Sequence, residues 1–258
     1  MLRTIKVLGL CLLIFIFIAY CSISYYGNFI NSFEVPNEVP KKYYSDDSMV
    51  TIKILQRGEK ENFYSTFSSG TGHIIDQKKQ LIRTAYHVVK NVVNNPDFKL
   101  GILYKGKINF AQVLTTNKKD DLATIVIACN EDSSLNFKFT KQVNLVSYDR
   151  AKYDGQTVYL KGFINEELIV VPAVVLNKHQ LQILKVSRII KNILKKIMWN
   201  NSGNLELYNF IKADNRIVIK INYPNGLHGM SGGTIELDGA VIGTLAMGTQ
   251  NFAAGKSN

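Results

Sequence analysis

Beyond residue 49 the chain gathers its apolar residues into short runs, too short for helices and rich in the residues strands prefer. Runs at 50–56, 63–75, 108–114, 123–128, 157–162, 168–176, 216–221 and 240–247 are dense in Val, Ile, Tyr and Thr, with Gly, Asn, Asp or Lys between them. Many short strands at such spacing predict an all-β barrel or sandwich. No repeat of 20–50 residues is present, which excludes a solenoid or propeller. The length of 258 residues suits one large domain or two small ones. A hydrophobic fraction of 46% excludes a disordered chain, and five Pro with 18 Gly exclude collagen-like or low-complexity sequence.

The first thirty residues fall outside this pattern. Arg3 and Lys6 precede fourteen residues, 7–20, with no charge and almost no polar group, and the next charge is Glu34. A membrane-spanning helix needs about 20 mostly apolar residues, so this run, extended by the mixed stretch 21–26, lies between a secretory signal and an uncleaved anchor. The reading adopted is an anchor over residues 7–26 within an N-terminal segment 1–30. A signal cleaved near Ser22-Ile23-Ser24, a lipidation site at Cys21 and a buried core helix are the alternatives. Arg3 and Lys6 would stay in the cytoplasm and the rest of the chain would lie outside it. Residues 31–48, with two Pro and several charges, read as a linker.

Three segments within the β-rich part carry chemistry. Gly229-Met230-Ser231-Gly232-Gly233 places a serine among glycines, which permit a sharp turn and close backbone approach. In Thr84-Ala85-Tyr86-His87, an apolar strand ends at a turn bearing a histidine; Gly70-Thr71-Gly72 lies shortly before it. Asp121 directly precedes the apolar run Leu122-Ala123-Thr124-Ile125. Each has an ordinary structural reading: a Gly-rich turn, a satisfied histidine, an acidic turn before a strand. Together they supply what a nucleophilic serine needs. A free hydroxyl is a poor nucleophile, a base must take its proton, and a carboxylate must hold that base in the right tautomer.

These words resemble the trypsin-like (chymotrypsin-fold) serine peptidases, and within them the HtrA/DegP-type branch. The resemblance rests on the G-x-G strand at 70–75, TAYHVV at 84–89, DLATIVI at 121–127, and GMSGG at 229–233 with the following DGAVIGTLAMG, and it covers residues 49–252. It implies two six-stranded β-barrels, about 49–140 and 141–252, with the cleft between them. It also implies Ser231 as nucleophile, His87 as general base and acid, Asp121 as orienting carboxylate, and the amides of Gly229 and Ser231 as oxyanion hole. Asp120 is a neighbour that is easily mistaken for Asp121. No PDZ-like segment is expected after the peptidase domain.

Several positions depart from the pattern. Met230 stands where digestive members carry an acid that pairs with a new amino terminus, so activation by that route is not expected. Thr234 replaces the usual proline after the SGG, and Tyr86 the usual small residue before the histidine. Asn225, six residues before Ser231, matches the position that floors the specificity pocket; being uncharged, it argues against a strict Arg or Lys preference. His228 reads as a substrate contact or, more simply, as an exposed loop histidine. Leu245, Ala246 and Met247 would form the strand beside which substrate pairs, and the set implies a small or medium apolar side chain at the cleavage site.

Lys and Arg exceed Asp and Glu by eleven charges. Most are spread out, but no acid occurs between Lys178 and Met198. Asp121 and Ser231 are 110 residues apart, long for compact members of the resembled family, and the surplus falls at about 178–213. Within it, 181–198 has helical period. Ile183, Val186, Ile190, Ile193, Leu194 and Ile197 share one face, and Lys185, Arg188, Lys191, Lys195 and Lys196 the other. This reads as an inserted amphipathic helix packed on the second barrel, or lying on an anionic membrane surface, or contacting another copy or an acidic partner. Nucleic-acid binding is not expected, since no aromatic stacking platform accompanies the charge. Cys129, the lone cysteine of the domain, reads as a buried apolar residue. The histidines show no ligand spacing and no phosphate loop occurs, so neither metal nor cofactor is expected.

The sequence thus predicts a membrane-tethered, extracytoplasmic serine endopeptidase acting through an acyl-enzyme. The alternative is a catalytically silent peptide-binding module on the same fold, docked at a membrane.

Overall fold

The computed structural model describes residues 34–45, 47–58, 64–127, 138–182, 216–248 and 252–257, with isolated helical positions between 14 and 25. Most of the expected anchor over 7–26, most of the basic helix 181–198 and Cys129 lie outside the described residues. No described helix is long and apolar enough to cross a membrane.

Among the described residues twelve strands form two closed barrels, as the all-β, two-barrel expectation requires. The first contains β1 (Met49–Arg57), β2 (Tyr64–Asp76), β3 (Leu81–Thr84), β4 (Phe98–Tyr104), β5 (Lys107–Asn117) and β6 (Leu122–Ile127), in the order β1-β2-β3-β6-β5-β4. The second contains β7 (Thr157–Ile164), β8 (Glu167–Val175), β9 (Arg216–Ile221), β10 (Thr234–Leu237), β11 (Ala240–Gly248) and β12 (Phe252–Ser257), in the order β10-β11-β12-β9-β8-β7. All strand pairs are antiparallel, and each sheet closes on itself. Strand β12 runs five residues past 252.

Side-chain alternation sets the two cores. In β6, Ala123, Ile125 and Ile127 point inward between half-buried neighbours. They meet Val50, Ile52, Ile54, Ile74, Ile82, Leu100 and Ile102, with Phe139 from the connecting segment also in this core. The second core gathers Val158, Leu160, Val171, Val175, Ile217, Ile219, Ile221, Ile235 and Ile242. Full burial of one such side chain is worth about 1.5–3 kcal/mol.

The expected turn after Thr84 is instead a helix, α1 (Tyr86–Asn94), which packs Val88 and Val89 onto the first barrel. A second, one-turn helix, α2 (Arg150–Tyr153), precedes β7. The stretch read as a linker ends in a docked 3-10 turn, Lys41–Tyr44. Its Tyr43 is buried and stacks on Tyr159 of β7 with ring centroids 3.9 Å apart. The inserted segment begins as a helix at 178–182. There Asn177 and Gln180 cap each other, each backbone N–H donating to the other's side-chain oxygen at 2.8 and 2.9 Å.

Candidate active site

His87 is the second residue of α1, and its position follows from a capping problem. The residue before the helix, Ala85, has no side chain to accept the first free N–H groups. Asp121 does so from the start of the neighbouring strand, β6, whose Ala123 pairs with Thr84. Its carbonyl accepts Tyr86 N–H at 3.1 Å and its Oδ1 accepts His87 N–H at 2.9 Å. Its other carboxylate oxygen lies 2.8 Å from His87 Nδ1. An ionised carboxylate can only accept, so Nδ1 is the donor, and in a neutral ring Nε2 is then the nitrogen with the lone pair. Asp121 itself takes a left-handed backbone, φ 55°, at the end of the turn into β6. The His87 side chain is 41% exposed and that of Asp121 17%, so the imidazole opens outward while its carboxylate is sheltered.

Ser231 sits in the loop before β10, on the second barrel. Leu227-His228-Gly229-Met230 is a type II turn, with Met230 N–H donating to Leu227 O at 3.1 Å and Gly229 at φ 95°. Among the described residues the N–H groups of Gly229 and Ser231 donate to nothing, while those of Met230, Gly232 and Gly233 are paired. Two free amides on one tight loop are donors of the kind that can bind an anion. Ser231 Oγ donates to Ala246 O at 3.3 Å, and no hydrogen bond joins it to His87.

The nucleophile loop is held by the first barrel. Thr71 N–H donates to Ser231 O at 2.9 Å, and Thr71 Oγ1 donates to Gly229 O at 2.9 Å while accepting Phe163 N–H at 2.8 Å. His73, fully buried, reaches Gly232 O with Nδ1 at 3.1 Å. Burial, then the charge of Arg83, push its pKa down to about 3, so the ring is neutral and Nδ1 is the donor. Thr84 Oγ1 donates to Thr71 O at 2.7 Å. Gly232, φ 88°, faces this strand so closely that a Cβ would stand 2.0 Å from Thr71 O. The sequence places Thr71 and Thr84 inside the words around His87 without giving either a role, and does not single out His73; polar residues at 71 and 73 just before Ile74-Ile75 are the available signal.

Leu245 and Ala246 are buried and Met247 is half-buried. Strand β10 pairs with β11 only as far as Thr244, whereas Met247 and Gly248 pair with β12 on the opposite side. Among the described residues the other side of 246–248, next to Ser231, therefore has no strand partner. Asn225 is exposed in a turn closed by Gly226 N–H to Tyr223 O at 3.1 Å, and His228 is exposed as well. The buried member of this loop is Leu227, which fills the space against Gly248.

No family model matches the chain, and neither does any curated protein. Among solved structures it is similar to a human pathogenic astrovirus serine protease, at 16% identity over 83% of this chain and 91% of that one, with a TM-score of 0.49.

Proposed function

We propose that the chain is a serine endopeptidase. The observation that carries this reading is the double grip of Asp121 on His87, at backbone and ring, which engages Nδ1 and leaves Nε2 to act as the base. In the proposed reaction Ser231 Oγ attacks the peptide carbonyl and His87 Nε2 takes its proton. The carbonyl oxygen becomes an oxyanion between the free amides of Gly229 and Ser231. Loss of one such donor typically costs about 100- to 1,000-fold in rate. The imidazolium, stabilised by Asp121, then protonates the leaving amine as the C–N bond breaks. Water then attacks the acyl-enzyme carbonyl as the same histidine takes its proton, and the imidazolium gives that proton to Ser231 Oγ as the ester C–O bond breaks. An extended substrate adds as a strand to the unpaired side of 246–248, with Leu227 and Met247 favouring an apolar side chain and Asn225 and His228 nearer the solvent.

The HtrA-like assignment, the tether at 7–26, an extracytoplasmic location and lipid contact by 181–198 belong to the same proposal and are supported by sequence. Flotation of the full chain with anionic vesicles, and its loss on deleting 7–26, tests the tether.

A second reading, a binding module that holds peptides without cutting them, draws on the Ser231 hydroxyl bonding to Ala246 O. Fluorophosphonate labelling of the full chain in detergent separates the two. Labelling of wild type but not of Ser231→Ala or His87→Ala supports the enzyme. A folded wild type that stays unlabelled supports the binding module.

A further inference from the structure

The turn that carries Asp121 is gripped from the other barrel. It joins β5 to β6 through Lys118, Lys119 and Asp120. Arg216, the first residue of β9, donates through one guanidinium nitrogen to Asp120 O at 2.7 Å and through the other to Lys119 O at 3.0 Å. Lys256 of β12 lies directly opposite Arg216 in the ladder, and its Nζ is 3.1 Å from Asp120 Oδ1. The second carboxylate oxygen of Asp120 accepts from Asn117 Nδ2 at 2.9 Å. Arg216 is 3% exposed and Lys256 8%. The burial of Asp120 would raise its pKa, but Lys256, Arg216 and Asn117 outweigh it and lower the pKa.

We infer that Arg216 and Lys256 are positioning residues that set the Asp121–His87 unit against Ser231, with Asp120 as their handle. This rests on the proposed roles of those three residues. The second barrel carries the nucleophile, so a clamp from that barrel onto the carboxylate turn fixes the one distance that neither barrel sets alone. The chain of contacts is short: Arg216 to the carbonyls of 119 and 120, the next residue Asp121, and from it to both donors of His87. A displacement of about 1 Å between reacting groups can cost on the order of 100-fold in rate. The guanidinium is suited to two successive carbonyls because its donors form a planar fork.

The test uses the full chain in detergent and compares wild type with Lys256→Met, Lys256→Arg, Asp120→Asn and Arg216→Lys. Two quantities are read below the unfolding temperature: the fluorophosphonate labelling rate, and the proton resonance of the His87 Nδ1–H, assigned by its loss in His87→Ala. The expected result is labelling about 10- to 100-fold slower in Lys256→Met and Asp120→Asn, with faster solvent exchange of the Nδ1 proton and rescue by Lys256→Arg. Unchanged labelling and an unchanged Nδ1 resonance in folded Lys256→Met, with only a lower melting temperature, would reduce the clamp to barrel packing and overturn the inference. If wild type does not label, the peptidase reading fails while the Nδ1 resonance still decides the clamp: a change in Lys256→Met upholds it and no change refutes it. Arg216→Lys is secondary, because so buried a residue can cost the fold.

Discussion

The hydroxyl of Thr71, on the first barrel, donates to the carbonyl of Gly229, 158 residues later, in the loop that presents Ser231. The same oxygen accepts Phe163 N–H at 2.8 Å, so one hydroxyl satisfies a donor and an acceptor of the second barrel at once. Thr71→Val keeps the shape and removes both bonds. Two sheltered backbone groups then lose a partner, at about 1–3 kcal/mol for each group left unsatisfied. The expected outcome is a loss of stability of that order, with slower fluorophosphonate labelling as the Gly229 turn relaxes, and recovery of both in Thr71→Ser. A Thr71→Val protein as stable and as reactive as wild type would mean the hydroxyl holds nothing.

Gly232 makes a sharper case. Its φ of 88° is unfavourable for any L side chain, and an added Cβ would meet Thr71 O at 2.0 Å and Thr84 Oγ1 at 2.1 Å. Neither neighbour is a flexible chain end: one is backbone, and the other is a hydroxyl already bonded to that backbone. Gly232→Ala must therefore separate the nucleophile loop from the strand before His87. Backbone strain alone costs about 1–3 kcal/mol, and the clash adds to it. The expected protein unfolds at markedly lower denaturant than wild type and does not label. Wild-type stability in Gly232→Ala would show that the two barrels approach less closely at this point.

His73 gives the fold a pH dependence of definite sign. Buried and pushed down to about 3, it stays neutral in the native state, whereas the unfolded imidazole titrates near 6.5. Below pH 6.5 the unfolded chain takes up a proton that the native chain refuses, so stability falls as pH falls. The slope approaches about 1.4 kcal/mol per pH unit and continues until about pH 3. Urea unfolding at pH 7 and pH 5 should show wild type losing about 2 kcal/mol through this group. His73→Gln, which does not titrate, should lose correspondingly less. Equal losses in the two proteins would place the proton elsewhere.

The parts of the molecule legible in the sequence are those whose chemistry is local. Alternation in Ala123-Thr124-Ile125 and the unbroken apolar run Ile217-Val218-Ile219 are written into consecutive residues. His87 and Asp121, read from separate words, do lie 2.8 Å apart. Strands β4, β10 and β12 were not read, for physical reasons. Gly101 interrupts β4, and β10 is four residues long. Phe252-Ala253-Ala254-Gly255-Lys256-Ser257 has little intrinsic β preference and is a strand because β11 and β9 flank it. The helix at Tyr86 was read as a turn because its cap comes from Asp121, 35 residues downstream, rather than from Ala85. Arg216 and Lys256 looked like two basic residues among 31; their role depends on a turn in the other barrel.

On the second barrel, Lys161 and Glu236 form an ion pair at 3.2 Å with side chains only 5% and 8% exposed. Glu236 also accepts from Thr234 Oγ1 at 2.9 Å. The pair lies on the outside of the barrel and is nevertheless shielded, on a face flanked by Tyr43 and Met49: Tyr43 stacks on Tyr159, which opposes Glu236 in the ladder, and Met49 Sδ is 4.0 Å from Thr234 Oγ1. Removing one partner of a buried pair leaves a desolvated charge and typically costs about 3–5 kcal/mol, whereas replacing both with apolar residues of similar size is often neutral or stabilising. Lys161→Met and Glu236→Leu should each be strongly destabilising, and the double variant should return to within about 2 kcal/mol of wild type. Truncation before Met49 removes Tyr43 and opens this face to water, so Lys161→Met in that background should cost less, toward the 0–1 kcal/mol of an exposed pair. Urea unfolding of the set decides the matter. Additive single-variant losses, with no recovery in the double, would show that the two charges do not depend on each other and that Thr234 and water suffice for Glu236.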